Sequence, residues 1–216
     1  MNSHLESIYT AILEGDLEST REGVQVAINA NIEPGNILTE GMIAAMKEVG
    51  KRFEEGDFYV PEMLISARAM KGGLSLLKPH LVKSDVKSAG KVAIGTVKGD
   101  LHDIGKNLVA LMLEGAGFEV KDLGVDVSPE KFVEAINEGG AEIIALSALL
   151  TTTMANMKII IETIQQEGLR DKVKIIIGGA PVTQEYANLI GADGYSADAS
   201  QAVSLAQSFI SISSPK

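Results

Sequence analysis

The sequence predicts an α/β protein in two parts: an N-terminal four-helix bundle, then a parallel five-stranded sheet with helices on both faces. Three observations carry that expectation. Residues 1–85 place apolar side chains at helical spacing and contain no strand-like run. From Lys91 to the end, short apolar runs alternate with amphipathic stretches, as strands joined by crossover helices do. Between the two parts, residues 83–90 are polar and aperiodic, and residues 86–90 are expected to be a linker.

A first helix is expected over residues 3–13, with Leu5, Ile8, Tyr9 and Ile12 on one face. Gly15-Asp16 ends it, and Asp16 can cap a second helix carrying Val24, Val26 and Ile28. A third begins near Pro34, with Ile37, Leu38, Met42, Ile43 and Met46 inward, and Gly56-Asp57 breaks the pattern. The fourth begins at Pro61, carries Met63, Leu64, Ala67, Met70 and Leu74, and is expected to stop before Pro79. Short connections favour an antiparallel bundle. In the second part, strands are expected over residues 92–97, 118–123, 143–146 and 173–177, with a weaker fifth around Gly194-Tyr195. Helices are expected over 104–114, 129–137, 153–166, 183–189 and 200–209. Right-handed crossovers bring every strand-to-helix loop to one sheet edge, where open α/β sheets bind ligands. A flavodoxin-like strand order in a Rossmann-like domain is the expectation for residues 91–216.

Composition narrows the function. The 216 residues carry a formal charge of −10 and a pI of about 4.8, which argues against nucleic acid and anionic membranes as partners. There is no cysteine, so thiolate metal sites are excluded, and the three histidines, His4, His80 and His102, are far apart. Residues 1–6 lack the basic region and apolar core of a signal peptide, and no apolar run approaches the roughly 20 residues of a membrane span. A soluble, cytoplasmic protein is expected.

Three loops at the carboxyl ends of the expected strands stand out. After the first strand comes Gly99-Asp100-Leu101-His102-Asp103-Ile104-Gly105-Lys106-Asn107: a carboxylate, a histidine two residues on and a glycine three further. The third strand runs into Ser147-Ala148-Leu149-Leu150-Thr151-Thr152-Thr153, and the fourth ends in Gly178-Gly179-Ala180-Pro181. The pattern Asp-x-His-x-x-Gly resembles the cobalt-ligand motif of the cobalamin-binding domain of methionine synthase and of the corrinoid methyltransferase proteins. The chemistry agrees with that resemblance. One histidine is a poor site for a naked metal ion, which wants three or four protein ligands. It suffices for corrin cobalt, which brings four ring nitrogens and needs only axial partners. Asp100 is spaced to accept the other ring N–H, which would fix the tautomer and raise the ligand's basicity.

The resemblance implies particular roles. His102 is the lower axial cobalt ligand, Asp100 its hydrogen-bond partner and Thr153 the relay hydroxyl, a threonine where the family usually has serine. Gly105 allows close approach of the loop to the corrin, and Asp103 also belongs to the cofactor-binding set. Ser147-x-Leu149 matches the family's Ser-x-Leu, Thr151 follows it, and Gly178-Gly179 matches the glycine pair along which the displaced nucleotide tail lies. The helical part is similar to the family's cap, with Phe53 and Val60 as the pair over the upper corrin face. Val60 departs from the family's common leucine.

Plainer readings stand beside these. A lone histidine near a helix start is commonly a cap or a surface residue. Residues 99–106 faintly resemble a phosphate-binding loop, but five residues separate the glycines instead of four, and Asn107 stands where Ser or Thr is required. The threonine run can merely cap a helix, Gly178-Gly179 can be an ordinary turn, and Phe53, Phe58 and Val60 can fill a bundle core. Met42, Met46, Met63 and Met70 sit at core spacing. The co-occurrence of the loops favours the corrinoid reading.

The resemblance therefore implies a corrinoid carrier protein of one-carbon metabolism. Such a protein holds a methyl group on cobalt between a substrate-specific methyltransferase and a second methyltransferase, which passes it to a thiol coenzyme or tetrahydrofolate. A reductive activation protein is a further expected partner. The chain is short for a methyltransferase barrel as well, so a carrier subunit is expected and not a complete enzyme. The alternative is a cobalamin-binding sensor. Sensors of this kind usually add a DNA-binding module and often carry a cap tryptophan, and this chain has no tryptophan. Methylamines, methanol, betaines and methoxylated aromatics all remain open as donors.

Overall fold

Asn2 opens the first helix, its side chain accepting the His4 N–H at 3.0 Å, and α1 runs over Ser3–Leu13. Asp16 caps α2 (Leu17–Asn29) as its position predicts, accepting the Ser19 N–H at 3.0 Å. The computed structural model describes residues 2–84 and 88–213, so Val86 and Lys87 of the expected linker lie outside the described residues. The chain divides into two units, Met1–Ser88 with Glu114–Gly117, and Ala89–Leu113 with Phe118–Lys216.

The first unit departs from expectation in three places. The expected third helix is α3 (Pro34–Asn36), a π-helical stretch (Ile37–Ile43) and α4 (Ala44–Glu54) in succession. At the junction the Ala44 N–H reaches back five residues to the Thr39 carbonyl, and this wide turn keeps Ile37, Leu38 and Met42 all buried. Helix α5 (Val60–Lys83) passes through Pro79 instead of stopping before it. A proline removes only its own donor, and the next turn is closed by the Ser84 N–H bonding the His80 and Leu81 carbonyls. Val26 and Leu64, expected on apolar faces, are exposed. The core of the unit is Leu5, Ile8, Ile12, Val24, Met42, Met46, Met63 and Met70, so the methionines fill space as their spacing suggested.

In the second unit β1 (Lys91–Thr96), β2 (Glu119–Asp122), β3 (Ile143–Ser147), β4 (Lys174–Gly178) and β5 (Gly194–Ser196) form one parallel sheet in the order β2-β1-β3-β4-β5. This is the flavodoxin-like order expected. The intervening helices are α6 (Ile104–Gly115), α7 (Pro129–Asn137), α8 (Thr151–Gln166), α9 (Gln184–Ile190) and α10 (Ala199–Ser213). Phe132 of α7, Met157, Ile160 and Ile164 of α8 and Ile190 of α9 cover one sheet face, made by Ala93, Ile144, Leu146, Ile175 and Ile177. Strand alternation turns Val92, Ile94, Ile143 and Ile176 to the other face. Register aligns Thr96, Ser147, Gly178 and Ser196 in one row across the carboxyl edge. The strand order reverses between β1 and β3, and ligand sites of open sheets lie at that reversal.

Candidate functional site

Asp100 is the hub of the carboxyl edge. It follows β1, is fully buried, and is surrounded by donors. Its Oδ1 accepts the His102 ring at Nδ1 (2.7 Å) and the His102 amide (3.1 Å). Its Oδ2 accepts the Leu149 amide (2.8 Å), the Leu150 amide (3.3 Å) and the Thr153 hydroxyl (2.7 Å). Leu149 and Leu150 directly precede α8, and a helix N-terminus with unpaired amides attracts negative charge. The carboxylate therefore plugs the start of α8 from the neighbouring strand. Burial pushes the carboxyl up, but the hydrogen bonds from Thr153, the His102 ring and the His102 and Leu149 amides outweigh it. They hold Asp100 well below the usual carboxylate range.

An ionised Asp100 can only accept, so the His102 proton sits on Nδ1 and the lone pair on Nε2. The ring is about half exposed, with a side-chain accessibility of 51%. Apolar side chains lie open at this edge: Leu101, Val125, Leu149 and Leu150 are exposed on its loops, and Ile104 is exposed at the start of α6. A soluble domain seldom leaves such a group of side chains bare without a ligand or partner for it.

The remaining expected residues fall into place unevenly. Asp100, His102 and Thr153 meet directly. Ser147 ends β3 and is half-buried, and Thr151 is exposed at the first position of α8. The Asp103 carboxylate is engaged by the Asn107 side chain at 3.0 Å and so helps to open α6. Gly105 faces open space, since a Cβ there would meet no atom within 4 Å. Gly178 continues the strand row, whereas Gly179, with φ +134°, lies so close to β3 that a Cβ would come within 1.9 Å of the Ala148 carbonyl oxygen. Phe53 and Val60 belong to the helical unit, at the end of α4 and the start of α5, where Tyr59, Val60, Leu64 and Ile65 are exposed. There Arg52 stands over the Phe58 ring at 5.3 Å, ordering the turn between these two helices.

Sequence reasoning missed three residues that hold the histidine loop. The buried Thr96 hydroxyl donates to the His102 carbonyl at 2.9 Å. Lys106, buried in the first turn of α6, binds Asp122 and the Asn107 side chain. Asp126 bonds both Gly99 and Asp100 through the β2–α7 connection. Only the apolar neighbours of Lys106 hinted at its burial, and nothing in the local sequence marks the other two.

Two family models match, both described as a B12 binding domain, over residues 4–78 and 90–204. The chain is 47% identical over 196 residues to trimethylamine corrinoid protein 1 of Methanosarcina acetivorans, covering 90% of this chain and 91% of that one. The chain belongs to the B12-binding corrinoid protein family. It is 42% identical over 207 residues to the dimethylamine corrinoid protein of Methanosarcina barkeri, covering 95% and 97% of the two chains. Among solved structures, it superposes on a cobalamin-binding protein from Desulfitobacterium hafniense with a TM-score of 0.79 and 31% identity, over 95% of this chain and 98% of that one. It also superposes on a chain of the methanol:cobalamin methyltransferase complex of Methanosarcina barkeri, with a TM-score of 0.86 and 30% identity, over 97% of this chain and 80% of that one.

The family's cofactor is a corrinoid, and the donor set agrees with it. Among the described residues no group of three or more His, Asp or Glu side chains could hold a bare metal ion. One oriented imidazole instead suits a metal that arrives held by the nitrogens of its own macrocycle. No described helix is long and apolar enough to cross a membrane.

Proposed function

We propose that the chain is a methyl carrier, bound alternately by a substrate-specific methyltransferase and by a second methyltransferase that passes the methyl group to a thiol coenzyme or tetrahydrofolate. The observation that carries this reading is the buried Asp100 carboxylate that fixes the His102 ring through Nδ1 and leaves the Nε2 lone pair for a metal. When bound, the corrinoid supplies a cobalt that accepts a methyl group from one partner and gives it up to another. His102 would hold the cobalt through Nε2, with Asp100 accepting the Nδ1 proton and the Thr153 hydroxyl donating to the far oxygen of Asp100. Gly105 leaves room for the ring beside the loop, and Leu101, Ile104, Leu149 and Leu150 exclude water from its edge. Asp103, Ser147, Thr151, Gly178 and Gly179 would complete the cofactor-binding set, and Phe53 and Val60 of the helical unit would contribute the apolar pair. A reductive activation protein is the third partner. The domain assignment accompanying this reading is a helical cap over residues 1–85, a linker over 86–90 and a corrinoid-binding domain over 91–216.

The similarity to trimethylamine and dimethylamine corrinoid proteins favours a methylated amine as donor. The decisive experiment reconstitutes the chain with methylcobalamin and compares its visible spectrum with that of His102→Ala. A histidine-bound spectrum present in the parent and absent in the variant supports the reading. Failure of the parent to retain any corrinoid refutes it. Supplying trimethylamine or methanol with the matching methyltransferase then separates the donors by whether the cobalt spectrum changes.

A further inference from the structure

We propose that Asp126 is a positioning residue for the histidine loop, setting the height of His102 through the backbone of Gly99 and Asp100. Asp126 lies in the connection between β2 and α7 with φ +52°, a left-handed conformation that Asp and Asn tolerate better than other side chains. From there it makes two contacts of opposite polarity. Its N–H donates to the Asp100 carbonyl at 3.0 Å, and its Oδ1 accepts the Gly99 N–H at 2.7 Å. A carboxylate acceptor makes the second contact one of the stronger backbone bonds. Both fall within three residues of His102 on its N-terminal side. The segment around Asp126 is itself anchored to β1, because the Thr96 N–H bonds the Gly124 carbonyl and the Val127 N–H bonds the Thr96 carbonyl.

The ring of His102 is half exposed, and Asp100 is its hydrogen-bond partner through Nδ1. Its position therefore follows the backbone of residues 99–102, and the device that fixes that backbone fixes the height at which Nε2 is offered. The consequence for cobalt rests on the reading of His102 as axial ligand; the brace itself is a property of the chain alone.

Three variants separate the acceptor from charge and from backbone strain. Asp126→Ala removes the acceptor and disfavours the left-handed backbone. Asp126→Gly removes the acceptor but adopts that backbone freely. Asp126→Asn removes the charge but keeps an acceptor and the left-handed tolerance. Amide hydrogen exchange of residues 99–102 in the chain without cofactor is the first readout. Exchange is expected to quicken about tenfold in the Ala and Gly variants, the size of one net hydrogen bond, and to quicken less in Asn, which keeps a neutral acceptor. With methylcobalamin bound, the histidine-bound fraction read from the visible spectrum should fall in Ala and Gly and recover in Asn. Parent-like exchange in both Ala and Gly overturns the proposal, as does an Asn variant that behaves like Ala. If the parent and His102→Ala give the same spectrum, the axial-ligand reading fails, and the exchange rates alone decide whether the brace exists.

Discussion

Replacing Thr153 by valine should destabilise the sheet unit by about 2 kcal/mol at pH 7. The Thr153 hydroxyl has one proton and two acceptors in reach, the Asp100 carboxylate at 2.7 Å and the Leu150 carbonyl at 2.9 Å. The ionised oxygen is the stronger acceptor, so the proton belongs to Asp100. Valine fills the same volume without a donor, so no cavity forms, and the loss is that of one hydrogen bond to a buried charge, about 1.5–3 kcal/mol. For a protein of this size that lowers Tm by about 5 °C. The pH dependence supplies a second signature. Asp100 is held below the ordinary carboxylate range, so its stabilisation is present above that range and disappears as pH falls through the folded-state value. Removing one donor raises that folded-state value toward the ordinary carboxylate range. Both proteins therefore begin to lose stability near that ordinary range, but the variant's loss is smaller and complete at a higher pH, so the gap between the two narrows in acid. Thr153→Ser keeps the donor and should lose under about 1 kcal/mol, the cost of one methyl group. Thermal denaturation of the three proteins from pH 7 down to about pH 2 measures all of this. A valine variant melting within about 1 °C of the parent at pH 7 would refute the assignment of the hydroxyl proton to a buried carboxylate.

Four further outcomes follow from the same geometry. Gly105→Ala should fold as well as the parent or better by up to about 1 kcal/mol, since helices favour alanine and its Cβ meets nothing, yet bind methylcobalamin about tenfold more weakly by equilibrium titration. Gly179→Ala should lose about 4 kcal/mol or fail to accumulate as folded protein, because its Cβ would overlap the Ala148 carbonyl at a φ that alanine avoids; circular dichroism melting decides it. Lys106→Met should change stability by less than about 1 kcal/mol in urea titration, because it removes a buried cation from a helix N-terminus while its partner Asp122 remains partly solvated. His102→Ala should keep the parent's Tm within about 2 °C, its ring being half exposed, while losing the histidine-bound spectrum.

The sequence made the sheet readable because each strand is a short apolar run bounded by turn residues, and the observed strands match those runs to within one or two residues. The Asp100–His102 pair was readable for a similar reason: both members lie two residues apart in one loop. Thr153 came only through resemblance, since 53 positions separate it from Asp100 and no local pattern joins them. Asp126 and Thr96 were invisible because their partners are backbone groups of the β1–α6 loop, and main-chain groups leave no mark in a side-chain pattern. The π-helical stretch and the run of α5 through Pro79 were missed because both are small departures in hydrogen-bond spacing, tolerated by the burial of Ile37, Met42 and Leu77 around them. Leu64 and Val26 show the opposite error, in which a hydrophobic residue near the inward face was read as part of it.

Asp100 serves two masters of unequal permanence. One is His102, which stands half in solvent; the other is the start of α8, which takes the carboxylate through the Leu149 and Leu150 amides and the Thr153 hydroxyl. An evolutionary lineage can therefore drop the histidine at little cost to folding, but it cannot drop the aspartate without uncapping a helix that borders the sheet. Descendants that have lost the histidine should be found with the aspartate still in place. In such chains the surviving carboxylate would be a relic of architecture and would say nothing about metal binding.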